Sequence, residues 1–407
     1  MTQISKYMML AYLLICPIMY PLTDVTIKQF QEVTFQNLGM LLVVTATRNI
    51  WMMLFMFLNI ALCAINGMEV GQSQVLNIFF GICIFMTARR FFKVFKFERE
   101  MSILFWVGGL SLLWAGLQIM AIDPIYMGAN GAGERLFDHI FNDPIGLFGL
   151  KAHHAIFFAI LVPLVASRCL WASLLLFIPM WICRSSGAML AGTVALMFYV
   201  FFANRKLFKY FAIGGVLASL CFIFLVDYKM DKEMFLSRFP QWHSAVRFTF
   251  IRPLGYGPDS WRNRTKHKDF LFLGDEDRNH WIQHKPDKET EVLRYYHPNL
   301  YKASHPDKEL NPKSFSHWAE CHNEYIQTFF EYGFLGLILL FGFIREMYFR
   351  FRYRIKDREL VLITSCLLVY AVSSITQFPL HVARLAFLFP VLLGAFYAKT
   401  DTNGGSL

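Results

Sequence analysis

Apolar residues gather along this chain into long runs joined by short polar links. Runs at 6–21, 37–47, 50–66, 74–92, 101–122, 152–167, 169–184, 185–203, 210–226, 328–346, 359–376 and 380–397 approach the roughly 20 residues a helix needs to cross a hydrocarbon core. The pattern predicts about twelve transmembrane helices. The second run is short and is followed by Arg48, so one arm of a bent or re-entrant helix is the alternative there. Two polar stretches interrupt the pattern, a small one at 123–151 and a large one at 227–327. The expected organisation is therefore N-terminal membrane helices over 1–226, a large loop over 227–327 and C-terminal membrane helices over 328–407.

The large loop holds eight of the twelve histidines together with Trp242, Trp261, Trp281 and Trp318. Long loops in compact proteins tend to be functional or disordered, and disordered segments are poor in aromatics, so a small, partly helical cap is expected. Phe235, Phe239, Trp242 and Val246 recur at helical spacing and predict an amphipathic surface helix, which Gly255, Gly257 and Pro258 then break. From 262 to 314 the composition is that of turns. The smaller loop contains GANGAG, but the strand and following helix that a phosphate-cradling glycine loop requires are not evident around it.

Composition narrows the class. Hydrophobic residues make up 56% of the chain and aromatics 17%, more than a soluble core can hide, so the fold class is all-α polytopic membrane protein. Lys and Arg concentrate in the short links 93–100, 204–209 and 350–358, which fall on one side of the predicted bundle. By the positive-inside rule that side is cytoplasmic, as are both termini; the two long loops then face the periplasm of a diderm bacterium. The first apolar run reads as a retained helix in the inner membrane. Because the basic clusters flank predicted spans, the net charge of +10 does not indicate nucleic-acid binding. Of eight cysteines only Cys321 lies in the large loop, and CxxC does not occur, so neither a disulfide framework nor a cysteine zinc site is expected.

The strongest candidate for chemistry is His322, where the polar loop runs into an apolar helix as HNEYIQTFFEY. An unperturbed imidazole titrates near pH 6.5 and can take a proton from a hydroxyl, a role worth roughly 10²–10⁴ in rate. Asn323, Glu324 and Tyr325 follow it. Glu320 and Glu324, four apart on one helical face, either orient the imidazole or complement the helix dipole. Arg238 sits on the predicted surface helix, where a guanidinium can clamp a diphosphate with paired hydrogen bonds or hold lipid headgroups. Lys151, Arg184, Arg247, Arg252 and Arg384 are further membrane-edge cations that can join the same positive site. His280 and His284 form an i, i+4 pair, but WIQ between them lacks the glutamate of HExxH, and no metal is expected.

Four segments, in order, resemble the O-antigen ligase and polymerase superfamily of bacterial envelope glycosyltransferases: GLKAHHAIFFAILVPL, CRSSGAMLAG, SRFPQWHSAVRFTFIRPLGYGPDSW and HNEYIQTFFEYGFLGL. SSITQFPLHVARLAFLFPVLLG is similar to the superfamily's C-terminal hairpin, so the resemblance runs from about 149 to 397. The stretch 262–314 has no counterpart, and CRSSG stands where the family has an SRG-like pattern.

The resemblance implies a C-type glycosyltransferase-like architecture, with the essential histidine and arginine at His322 and Arg238. It also implies an undecaprenyl-diphosphate-linked glycan as donor, and transfer to an acceptor hydroxyl such as that of lipid A core without metal or cofactor. Membrane lipids are the other expected partners. A repeat-unit polymerase and a protein O-oligosaccharyltransferase are alternatives within the superfamily. A polytopic lipid or solute transporter is the alternative from another class, set against the concentration of polar chemistry in an external loop rather than at the midplane.

Overall fold

The computed structural model describes residues 3–18, 72–120, 146–148, 151–183, 185–205, 207–209, 239–257, 260–261, 323–377, 379–380 and 383–401. Among these residues the chain is all-helical, without strands. It divides into two units, one formed by Met1–Met56, Leu76–Val226 and Phe341–Leu407, the other by Phe57–Val75 and Asp227–Leu340. Among the described residues, three helical stretches are long and apolar enough to cross a membrane: Phe97–Ile119, Ser186–Ala203 and Glu324–Tyr353. The runs expected at 37–47, 50–66 and 210–226 lie outside the described residues, as does the GANGAG segment.

The first unit contains α1 (Gln3–Ile18), α2 (Gln72–Val94), α3 (Phe97–Glu100), α4 (Ile103–Ile119), a 3-10 turn at Gly146–Phe148, α5 (Lys151–Ala166), α6 (Leu170–Leu175), α7 (Phe177–Ile182) and α8 (Ser186–Ala203). At the centre is α5, whose residues from Ala155 to Leu164 are all buried. A helix apolar on every face is stable only when surrounded. Here α4, α6, α7 and α8 pack around it. The run at 169–184, expected as one span, is instead α6 and α7, interrupted at Leu176. Pro179 explains the break: it has no N–H to give the Leu175 carbonyl, and its ring collides with that carbonyl in a continuous helix.

After α9 (Phe239–Ile251), which lies in the second unit, the first unit resumes in the C-terminal part of α10 (Glu324–Tyr353). It ends with α11 (Arg358–Ser373), α12 (Ala383–Ala386) and α13 (Leu388–Thr400). Pro390 accounts for the interruption between α12 and α13 in the same way. α11 packs on α5, α8 and α13. Asp357 caps α11 by accepting hydrogen bonds from the N–H groups of Glu359 at 2.9 Å and Leu360 at 3.2 Å.

Basic links far apart in sequence meet at one end of this unit. Asp401 accepts from Arg89 at 2.8 Å and pairs with Lys93 at 3.1 Å, while Arg350 lies 3.7 Å away. Glu346 accepts from Arg350 at 2.8 Å and from the Tyr397 hydroxyl at 3.1 Å. Glu359 pairs with Lys399 at 2.5 Å and also accepts from the Phe97 N–H; the Arg354 guanidinium donates to the Lys399 carbonyl at 2.6 Å. Lys6 meets buried Glu100 at 3.0 Å. Phe198 and Phe202, near the end of α8, each stack within 5.5 Å of Phe351. The links 93–100 and 350–358 are thus brought together, and the end of α8 that leads into the third link lies against the second of them.

The described part of the second unit is the first residues of α2 (72–75), α9, the turn that follows it with Ser260 and Trp261, and the first part of α10. Its core is Ala245, Trp261 and Phe330, with Trp242, Phe248, Tyr256 and Ile326 packed against them. The helix expected around 235–250 is present from Phe239, but the fully buried positions are Ala245 and Thr249, not Val246. Burial follows the helix it packs on, and small residues at 245 and 249 allow close approach.

Candidate functional site

Two segments singled out in the sequence, FPQWHSAVRFTFIRPLGYG and NEYIQTFFEYG, form one structure. α10 is not continuous in conformation: Gly333 has φ 62° and ψ −157°, a region essentially confined to glycine. The break removes the helical partners of nearby carbonyls and of the Phe334 N–H. Three of these groups find replacements in the RPLGYG turn. The N–H of Tyr256 donates to the Phe330 carbonyl at 3.1 Å, that of Gly257 to the Glu331 carbonyl at 2.9 Å, and that of Phe334 to the Pro253 carbonyl at 2.9 Å. Buried backbone groups must be paired, so the turn and the helix break require each other.

Contact here is too close for side chains. A Cβ on Gly255, itself at φ 82°, would stand 2.4 Å from the Glu331 carbonyl oxygen, and one on Gly333 would stand 2.0 Å from the Pro253 carbonyl oxygen. Aromatic packing closes the clasp: Tyr256 stacks on Phe330 with centroids 4.7 Å apart and planes 12° apart, while Trp261 meets Phe330 edge-on at 5.3 Å. The Arg252 guanidinium lies over Tyr256 at 5.4 Å. On α9, the Thr249 hydroxyl donates to the Ala245 carbonyl at 2.8 Å, with the Phe329 carbonyl 3.4 Å away.

Above the clasp, α10 begins with a line of buried polar side chains. Asn323 caps it, its Oδ1 accepting from the Ile326 N–H at 3.0 Å. Four residues on is Gln327 and four further is Glu331, both fully buried, with Gln327 Nε2 donating to Glu331 Oε1 at 3.1 Å. Glu324 is also buried, at the first turn, where a carboxylate complements the helix dipole. A carboxylate and an amide held out of water inside a helix are costly unless paired, and this pair is fixed by its neighbours.

Of the predicted site residues, Glu324 is the buried first residue of α10, Tyr325 beside it is half-buried, and Arg247 is half-buried on α9. These three share the second unit. Lys151 opens α5 and Arg384 lies in α12, both in the first unit. His322, Arg238 and Arg184 lie outside the described residues, as do Glu320 and the loop histidines considered for zinc. Among the described residues no group of three or more His, Cys, Asp or Glu is placed to hold a metal.

Sequence reading missed Gln327 and Glu331, although their i, i+4 spacing from Asn323 within an aromatic helix was the available signal. It also passed over a polar knot in the first unit. The Gly146 N–H donates to Gln118 Oε1 at 2.9 Å and the Leu147 N–H to Ser111 Oγ at 3.1 Å, while Ser111 Oγ lies 3.2 Å from His154 Nδ1. Ser111, Gln118 and His154 are all buried, and together they tether the end of the smaller polar stretch to α4 and α5.

No protein-family profile matches the sequence, and no curated protein is significantly similar to it.

Proposed function

We propose that this protein is a polytopic inner-membrane glycosyltransferase of O-antigen ligase type, which moves a glycan from undecaprenyl diphosphate to an acceptor hydroxyl, such as that of lipid A core, at the periplasmic face. The observation that carries the reading is the clasp. The two loop segments on which the family resemblance mainly rests are held to each other by three backbone hydrogen bonds and two glycines. His322 is the residue before the cap of α10, and Arg238 is the residue before α9. The two helices they precede pack on one another.

A membrane setting is supported by the surface. Trp106, Trp171, Trp181 and Phe341 are each more than half exposed, as suits hydrocarbon rather than water. From Phe334, just after the break, to Tyr353, α10 has about the 20 residues that span the roughly 30 Å of a bilayer core. The complete fold in this reading has about twelve spans and a C-type architecture.

In the reaction, the acceptor hydroxyl oxygen attacks the anomeric carbon of the donor sugar as the bond from that carbon to the phosphate oxygen breaks. The hydroxyl proton passes to His322, and undecaprenyl diphosphate leaves with the bonding electrons. Arg238 offsets the charge on the diphosphate, with Arg184, Arg247, Lys151 and Arg384 as further cations. Glu324 and Tyr325, beside His322 in sequence, contribute to acceptor binding. Diphosphate is already a good leaving group, so positioning and charge compensation supply most of the rate.

The test is deletion of the gene followed by gel analysis of surface glycan. Loss of the glycan ladder with accumulation of lipid-linked polymer is expected, and complementation with His322→Ala or Arg238→Ala should fail although the protein is inserted. Full activity of both variants would overturn the assignment.

A further inference from the structure

At the end of the first unit where the basic links meet, every described acidic residue is engaged. Asp401, Glu346, Glu359 and Glu100 hold the cations named above, Glu98 accepts from Ser167 at 3.0 Å, and Asp357 caps α11. Cations remain over. Among the described residues Arg90, Lys96, Lys209, Arg352 and Lys356 are exposed and have no acidic partner. They belong to segments that meet: α2, which carries Arg90, and α10, which carries Arg352, both bind Asp401; Lys96 and Lys356 flank the contact of the Phe97 N–H with Glu359; and Phe208, beside Lys209, packs on Phe201 next to Phe202, which meets Phe351.

A second feature accompanies them. The last turns of α10 interleave cations with exposed aromatics: Tyr348 is 57% exposed and Tyr353 83%, and Arg345 lies 5.2 Å over the Phe349 ring. Apolar side chains alone would suit hydrocarbon, and cations alone would suit water. Rings alternating with Arg and Lys suit the headgroup layer between them, where aromatic belts and snorkelling cations are enriched.

We propose that this end of the protein is a binding surface for anionic phospholipid headgroups, with Arg90, Lys96, Lys209, Arg352 and Lys356 supplying the charge and Tyr348 and Tyr353 sitting at the glycerol level. The inference rests on the membrane reading given above but not on the transferase chemistry. Each cation near an anionic surface is worth roughly five-fold in binding. Neutralising five of them therefore predicts at least a ten-fold loss even after screening over about 8 Å at physiological salt.

The full chain, purified in neutral detergent, is titrated with phosphatidylglycerol or phosphatidylcholine while thermal unfolding and retained lipid are followed, the latter by native mass spectrometry. Phosphatidylglycerol should raise the unfolding temperature and be retained, phosphatidylcholine should do neither, and 0.5 M salt should weaken the difference. The variant R90Q/K96Q/K209Q/R352Q/K356Q should unfold at the wild-type temperature without lipid and lose the response, while R90K/R352K keeps it. An equal response to both lipids overturns the proposal, as does an unchanged response in the glutamine variant. A shift of the same size from glycerol phosphate, or from a short RNA, overturns it in favour of a general anion site. If the glutamine variant misfolds, the salt dependence of the wild-type response decides. Transferase assays are not used, so a failed glycan assignment leaves this result intact, and the reverse holds too.

Discussion

Gly333→Ala separates a clasp that holds the second unit together from a mere irregularity in a long helix. Alanine at φ 62° and ψ −157° carries about 1–3 kcal/mol of backbone strain. Its Cβ would also stand 2.0 Å from the Pro253 carbonyl oxygen, which is main chain and cannot rotate away. The alternative is for α10 to straighten, and alanine favours that by about 1 kcal/mol over glycine. Straightening forfeits the three hydrogen bonds to Pro253, Tyr256 and Gly257, each worth about 0.5–1.5 kcal/mol net. The cheaper of the two routes leaves the variant about 0.5–3.5 kcal/mol less stable in this unit. The assay is thermal unfolding of the purified full chain together with limited proteolysis, read by where the first cuts fall. Cuts in 239–261 should appear at protease levels the wild type resists. Gly81→Ala is the control: its site in α2 is open and should be neutral or slightly stabilising. If Gly333→Ala unfolds with the control and resists protease equally, the clasp is not what orders these segments.

Asp401 gives a pH test. Burial alone raises its pKa, but hydrogen bonds from Arg89 and Lys93 and their charges prevail and hold the carboxyl below the usual carboxylate range. A depressed folded-state pKa means the contribution is present above the unfolded value, about 3.9, and is lost as pH falls through the lower folded value. Asp401→Asn should therefore lower the unfolding temperature at neutral pH, and the gap to wild type should close below about pH 4; a constant gap from pH 7 to 3 would falsify this. Ser111→Ala removes the acceptor of the buried Leu147 N–H and one contact of His154, at a cost of about 1–3 kcal/mol in thermal unfolding. Gln327→Leu takes the amide donor from the buried Glu331 carboxylate and should cost about 1–3 kcal/mol in thermal unfolding; an unchanged unfolding temperature would count against the pairing.

How far the sequence was legible differs by element. The runs at 152–167 and 185–203 became α5 and α8 nearly end to end, because a continuous apolar stretch has only the helix in which to pair its backbone away from water. The start of α10 was readable too, since Asn323 before Glu324 is a cap followed by an acid. The run at 169–184 looked equally continuous. Its division into α6 and α7 is attributable to Pro179, yet Pro163 sits inside an unbroken α5, so the residue type alone does not decide.

Taken by itself, the sequence determined helical content, the positions of most helices, the segregation of basic links and the two segments on which a function can be argued. These follow from local rules, hydrophobic run length and charge placement, which need no knowledge of neighbours. Tertiary structure alone decided that α10 breaks at Gly333, because EYGFLGL is compatible with a straight helix until the RPLGYG turn, some 80 residues earlier, offers hydrogen bonds that a straight helix cannot use. It also decided that Gln327 and Glu331 are interior and that Asp401 gathers Arg89, Lys93 and Arg350. Burial and ion pairing depend on which surfaces meet, and that information is carried by contacts between distant residues rather than by any one segment.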